Sequence, residues 1–152
     1  MADFDLRELY QEVILDHHKK PRNFHKLDRS NRQADGYNPL CGDKISVYMQ
    51  IENGLIVDIG FVGAGCAIST ASASMMTESL KGKTEIEARA LFENFHQFVA
   101  NHSEAQPEPS IMGNLAAFSG VRDYPVRVKC ATLAWHTMKA ALEQSDETVR
   151  TE

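Results

Sequence analysis

The sequence predicts an α+β domain in which a small antiparallel sheet is covered by helices. Two β-rich runs, at residues 43–51 and 55–62, flank Glu52-Asn53-Gly54, and an Asn-Gly pair between such runs is typical of a tight hairpin. Segments with apolar residues at helical spacing lie on both sides of this hairpin. Because one hairpin alone cannot bury a stable core, we expect the helices to cover its apolar face.

The N-terminal segment is predicted to form a helix from Asp3 to about His18. Its apolar residues recur at helical spacing, Asp3 or Asp5 is a suitable N-cap, and Pro21 marks the end. Residues 22–40 show no clear period, so we expect mostly loop there, with room for a short edge strand near its end.

Four more helices are predicted after the hairpin, at residues 66–80, 84–99, 111–118 and 125–144. A capping box, in which Thr84 and Glu87 each accept a hydrogen bond from the other's backbone N–H, is expected to open the second of them. Glycine or proline residues bound the others. We expect residues 145–152 to form a flexible tail.

The bulk composition indicates a single domain over residues 1–152, because 43% hydrophobic and 24% charged residues are ordinary for a globular protein with a core. A net charge of -5 argues against binding to nucleic acid. The chain contains no apolar run of about 20 residues, which argues against a membrane span, and its acidic start is unlike a signal peptide. We therefore expect a cytoplasmic protein with reduced thiols.

The three cysteines of the chain each have neighbours that suit a metal-bound or reactive thiolate. Gly42 lets Cys41 and Asp43 approach one point, and the turn at residues 63–65 delivers Cys66 to a helix N-terminus, where the helix dipole favours a thiolate. Cys130 lies in the first turns of the last predicted helix and could complete the set.

Three thiolates and a carboxylate suit a tetrahedral zinc ion, and thiolate-rich shells also suit iron–sulfur clusters. Four ionised ligands around one zinc ion would leave the site with a net charge of about minus two, which a nearby cation has to offset. Arg127 is our candidate for this cation and for a partner of Asp43, because it lies on the same helical face as Cys130. Cys41 ends a loop, so it is the ligand that could leave the metal and act as a nucleophile toward a persulfide.

Two less specific interpretations compete with this hypothesis. Free cysteines are commonly small core residues, although three of them beside Asp43 and several glycines make packing alone a poor explanation. A zinc ion that only holds the fold, with no cysteine leaving it, is also consistent with the sequence.

Several motifs in the chain resemble those of a known family, and they occur in order along almost its whole length: Leu9-Tyr10, Asp16-His17, Pro21-Arg22-Asn23, Cys41-Gly42-Asp43, Gly63-Ala64-Gly65-Cys66, Ala71-Ser72-Ala73-Ser74-Met75-Met76 and Arg127-Val128-Lys129-Cys130. This set resembles the SufU family, the Gram-positive branch of the IscU and NifU N-terminal superfamily. The resemblance implies the SufE/NifU (IscU-like) fold.

Resemblance to SufU also implies a zinc-dependent sulfurtransferase that accepts persulfide sulfur from the cysteine desulfurase SufS and passes it toward downstream iron–sulfur assembly proteins. The family's metal ligands correspond to Cys41, Asp43, Cys66 and Cys130. In the family's mechanism a SufS histidine replaces Cys41 on zinc and frees that thiolate to collect the sulfur.

One position separates the two branches of this superfamily. IscU scaffolds carry a histidine immediately before the third cysteine, whereas this chain has Lys129 there, as SufU-like chains do. A scaffold that binds a transient iron–sulfur cluster remains the main alternative function. The sequence leaves the oligomeric state open.

Overall fold

The structure is a computed structural model that describes residues 2–100, 113–121, 124–144 and 148–150. Its elements, in chain order, are α1 Ala2–Lys19, β1 Arg32–Asn38, β2 Asp43–Glu52, β3 Leu55–Ala64, α2 Ala67–Leu80, α3 Glu85–Ala100, the 3₁₀ helix η1 Gly113–Val121, α4 Pro125–Leu142 and β4 Val149–Arg150.

The four strands form one sheet in the order β3-β2-β1-β4. β1 pairs with β2 and β2 with β3 in antiparallel fashion, whereas β4 runs parallel to β1. The predicted hairpin is β2–β3, and its turn residues Asn53 and Gly54 have φ angles of 53° and 78°. Two positive φ angles are what a type I′ turn requires, which explains the Asn-Gly pair. The predicted α+β class is confirmed.

The short strand allowed near the end of residues 22–40 is β1, but its expected place at an edge is wrong, because β1 lies between β2 and β4. Its inward-facing residues are Ala34, Gly36 and Asn38, which are small or polar and show no apolar alternation. Gly36 leaves room for α4, since a Cβ there would lie 2.1 Å from Thr137 Oγ1. The residue types on the inner face of β1 are therefore explained by its close packing against α4, not by an alternating apolar pattern.

The C-terminal residues also differ from the flexible tail expected at 145–152. Val149 and Arg150 pair with Gly36 and Tyr37 of β1. Residues 145–147 and 151–152 lie outside the described residues. Two residues are too short a run for any sequence period to indicate a strand.

The core lies between one face of the sheet and the helices. α4 packs on β1 and β2, and α2 packs between α4 and α1. Trp135 of α4 is fully buried, stacks on Phe95 with ring centroids 4.7 Å apart, and donates its indole N–H to Ser72 Oγ at 3.1 Å. This packing fixes α4, and with it Cys130, against the sheet.

The helices expected at residues 84–99 and 111–118 correspond to α3 and η1. At the start of α3, Glu87 donates its backbone N–H to Thr84 Oγ1 at 3.1 Å and Thr84 donates its own to Glu87 Oε1 at 3.0 Å, so the capping box is confirmed. The helix expected at 111–118 is the 3₁₀ helix η1, and residues 111–112 lie outside the described residues. No helix in the described ranges combines the length and apolarity that crossing a bilayer requires.

His136, at the contact between α3 and α4, is expected to make the fold less stable in mild acid. His136 lies against Phe92 and His96, with ring centroids 5.3 Å away in both cases. Burial, helped by the positive charges of His96 and Lys139 and opposed by Glu93, lowers the pKa of His136 to about 4. The unfolded chain protonates this residue near its ordinary pKa of 6.5, so the stabilisation is complete above that pH and is lost as pH falls from 6.5 toward 4.

We expect the free energy of unfolding in urea to fall by about 1–2 kcal/mol more in the wild type than in His136→Gln between pH 7 and pH 5. Comparing the two proteins cancels acid effects that arise elsewhere, including at the cysteines. Parallel pH profiles for wild type and variant would show that His136 does not contribute.

Candidate metal centre

The turn that carries Cys41 joins β1 to β2. It is short because Gly42 adopts a φ of 71°, and the Gly42 N–H donates to the Asn38 carbonyl at 2.8 Å. Glycine adopts a positive φ without strain, which explains the glycine between Cys41 and Asp43. The turn leaves Cys41 exposed.

Asp43 is the first residue of β2, and its side chain is completely buried. Its Oδ1 accepts the Cys66 backbone N–H at 2.8 Å. Gly65 makes this approach possible, because a Cβ at that position would lie 2.6 Å from Oδ1. A buried carboxylate is costly without compensating hydrogen bonds or positive charge, and one N–H only partly compensates it.

Cys66 is the N-cap of α2, as its predicted place at a helix N-terminus implies. Its sulfur accepts the Ser69 N–H at 3.4 Å and lies 3.7 Å from Asp43 Oδ2. The Cys66 sulfur therefore lies at the positive end of the α2 dipole.

Cys130 lies in the second turn of α4 and is buried. Its sulfur is 3.2 Å from the sulfur of Cys41, although the two residues are 89 positions apart. Burial first, and then the neighbouring thiols Cys41 and Cys66, raise the pKa of the Cys130 thiol. A nearby cation would oppose each of these effects by favouring the thiolate.

Three of the four predicted ligands lie close enough together to share a metal ion. Cys41, Asp43 and Cys130 each offer a ligand atom, all within 4.8 Å of one another, and Cys66 adjoins them through Asp43. A tetrahedron with metal–sulfur bonds of about 2.3 Å has edges of about 3.8 Å. Cys41, Asp43 and Cys130 therefore have the chemistry and the spacing to hold zinc or iron, and Cys66 as the fourth ligand stays a prediction.

Arg127 lies on the surface side of α4. It is exposed, and its guanidinium carbon is 4.7 Å from the ring centroid of Tyr124. Within the described residues no ion pair joins Arg127 to Asp43. Its role as a partner of Asp43 stays a prediction.

Asn38, which was not among the predicted site residues, is completely buried beside the centre. Its Oδ1 accepts the Leu40 N–H at 3.1 Å, and its Nδ2 donates to the Cys130 sulfur at 3.6 Å. The available signal was the Asn-Pro pair at residues 38–39, since asparagine side chains commonly bond the backbone two residues on.

Comparison with known proteins identifies the family of this chain. Residues 9–131 match the sequence model of the family described as "NifU-like N terminal domain". The chain belongs to this family. The predicted membership of the IscU and NifU N-terminal superfamily is confirmed.

Curated members of the NifU-like family align over nearly the whole chain. The chain is 40% identical to the iron-sulfur cluster assembly scaffold protein IscU of Streptococcus pyogenes serotype M1, covering 95% of this chain and 89% of the relative. It is 37% identical to the zinc-dependent sulfurtransferase SufU of Bacillus subtilis strain 168, covering 93% and 95%.

Solved structures show the same fold. A putative iron-sulfur cluster assembly scaffold protein for the SUF system from Fervidobacterium islandicum AW-1 superimposes with a TM-score of 0.80 at 34% identity, covering 86% of this chain and 94% of that one. A NifU-like N-terminal protein from Brucella abortus, at 23% identity, has a TM-score of 0.80, with coverages of 91% and 95%. The chain therefore has the same fold as these two proteins.

The close approach of Gly65 to Asp43 generates a prediction for the centre. In Gly65→Ala the new methyl group has to displace the Asp43 carboxylate, so we expect weaker zinc binding and a loss of about 1–3 kcal/mol of stability. Zinc affinity by chelator competition, together with urea unfolding, measures both effects.

Gly120→Ala is the matched control, because a Cβ at Gly120 meets no atom within 4 Å. It should leave zinc affinity unchanged. A Gly65→Ala protein that binds zinc as tightly as Gly120→Ala would show that the position of Asp43 is not critical.

Proposed function

We propose that this protein is a zinc-dependent sulfur acceptor in iron–sulfur cluster assembly. In this proposal Cys41, Asp43, Cys66 and Cys130 hold the zinc ion. Cys41 also accepts sulfur from the persulfide of a SufS-type cysteine desulfurase. The protein then passes the sulfur to downstream assembly proteins in the cytoplasm, where thiols stay reduced.

The difference in exposure among the ligands carries this proposal. Cys41 is exposed on its turn, Cys66 is half-buried, and both Asp43 and Cys130 are buried. A partner can therefore reach Cys41, whereas Asp43 and Cys130 are enclosed by β2 and α4. Three ligands on regular structure would keep the metal while the fourth reacts.

The transfer conserves atoms and charge. The Cys41 thiolate attacks the outer sulfur of the partner's persulfide, a new sulfur–sulfur bond forms at Cys41, and the old one breaks. The partner's cysteine leaves as a thiolate, so no external oxidant or reductant is needed. The product is a persulfide on Cys41, exposed for the next acceptor.

Zinc, when bound, keeps the cysteines ionised near neutral pH. The chain's own residues do the rest. Asp43, fixed by the Cys66 N–H, anchors one side of the centre, and the Gly42 turn presents Cys41 to the surface. Lys129, half-buried, and Arg127, exposed, add positive charge to the start of α4 and would favour an anionic persulfide there.

A cluster scaffold is the second candidate. The observation in its favour is that the Streptococcus pyogenes relative is named an iron-sulfur cluster assembly scaffold protein. The same thiols and carboxylate could hold iron and sulfide. Lys129 in place of the scaffold histidine supports the sulfur acceptor instead.

Cys41→Ala tests the acceptor role. We expect the variant to keep its fold and about one zinc ion per chain, because three ligands remain, and to accept no sulfur. The measurement is transfer of label from radioactive cysteine to this protein, catalysed by a SufS-type desulfurase.

The control is Leu40→Ala, which changes the exposed neighbour of Cys41 on the same turn and removes no ligand. It should retain most of the transfer. Full labelling of Cys41→Ala would contradict the acceptor role and would favour a zinc ion that serves only the fold.

A further inference from the structure

The side chain of Asn38 connects the exposed turn of the centre to its buried part. Asn38 is the last residue of β1 and pairs with Asp43 across the sheet. Its amide contacts the turn that carries Cys41 through Leu40, and it contacts Cys130 on α4. One buried group thus touches two of the elements that supply ligands.

The orientation of the amide follows from its partners. The Leu40 backbone N–H can only donate, so the amide oxygen has to face it, 3.1 Å away. The amide nitrogen therefore faces the Cys130 sulfur at 3.6 Å. Because sulfur is larger than oxygen, this separation is suitable for an N–H···S hydrogen bond.

A donor at this position matters because the Cys130 sulfur is buried. An ionised thiolate away from water needs hydrogen bonds as well as a metal, and hydrogen bonds that donate to an ion are stronger than neutral ones. Groups that donate to metal ligands commonly set metal affinity by factors of 10 to 100.

We propose that Asn38 is a positioning residue of the centre: its amide N–H holds the Cys130 thiolate in place while its amide oxygen fixes the turn from which Cys41 leaves. The inference rests on the metal centre of the proposed function. A residue needed only for the turn would not affect the Cys130 sulfur, whereas Asn38 is expected to do so.

Asn38→Ser separates these two roles. Serine at the start of a turn can still accept the Leu40 N–H, but its short side chain does not reach Cys130. Asn31→Ser is the matched control, because both the nitrogen and the oxygen of the Asn31 amide are also hydrogen-bonded. They bond the backbone of Ile51 at 2.7 and 2.8 Å, at the opposite end of β2 from the centre.

The experiment is cobalt(II) binding to the apoprotein, followed through the thiolate-to-metal charge-transfer bands and by chelator competition. An N–H donor withdraws electron density from sulfur, so its loss should shift these bands to longer wavelength. We expect Asn38→Ser to show this shift and an affinity at least about tenfold weaker, and Asn31→Ser to match the wild type.

Asn38→Ser with wild-type bands and affinity would overturn the inference, as would equal losses in both asparagine variants. If Asn38→Ser fails to fold by circular dichroism, Asn38→Asp keeps the side-chain size and the acceptor for Leu40, and the same two readouts decide. A wild-type protein without cobalt–thiolate bands would contradict the metal centre itself, and the inference with it.

Discussion

The buried carboxylate of Asp43 is the constraint on which the rest of the centre depends. It has no exposure to water, and its Oδ1 accepts the backbone N–H of Cys66. This bond joins the start of β2 to the start of α2, and a Cβ at position 65 would lie too close to the carboxylate to leave it in place. A carboxylate enclosed in this way beside three thiols is stable when a cation shares the site, because burial otherwise penalises the charged form.

The same enclosure divides the ligands into fixed and free. Trp135 is buried and Gly36 lies close to α4, so this helix packs tightly on the sheet. This packing places Cys130 beside the β1–β2 turn. Cys41 lies on the outer side of that turn, within contact distance of Cys130 and open to solvent. In the proposed zinc centre, this arrangement would let the exposed Cys41 exchange while the less exposed ligands keep the ion.

Local signals in the sequence predicted the parts of the fold that local chemistry decides. The Asn53-Gly54 turn and the Thr84–Glu87 capping box are examples, and Cys66 at a helix start is another. β1 was predicted only as a possible short edge strand, because its inward residues are small or polar and show no apolar alternation, which suits close packing against α4. For the centre, cysteine spacing and glycines indicated the candidate ligands, whereas the contacts of Cys130 with Cys41 and Asn38 arise from packing between distant segments.

The most direct test of the account is the metal and sulfide content of protein purified without oxygen, measured by elemental analysis together with its visible spectrum. A zinc-based sulfur acceptor predicts about one zinc ion per chain, no acid-labile sulfide and no colour. Iron with acid-labile sulfide and visible absorption would contradict the zinc centre and identify a cluster scaffold. A folded protein that contains no metal would contradict the claim that the buried carboxylate and its three thiols form a metal site.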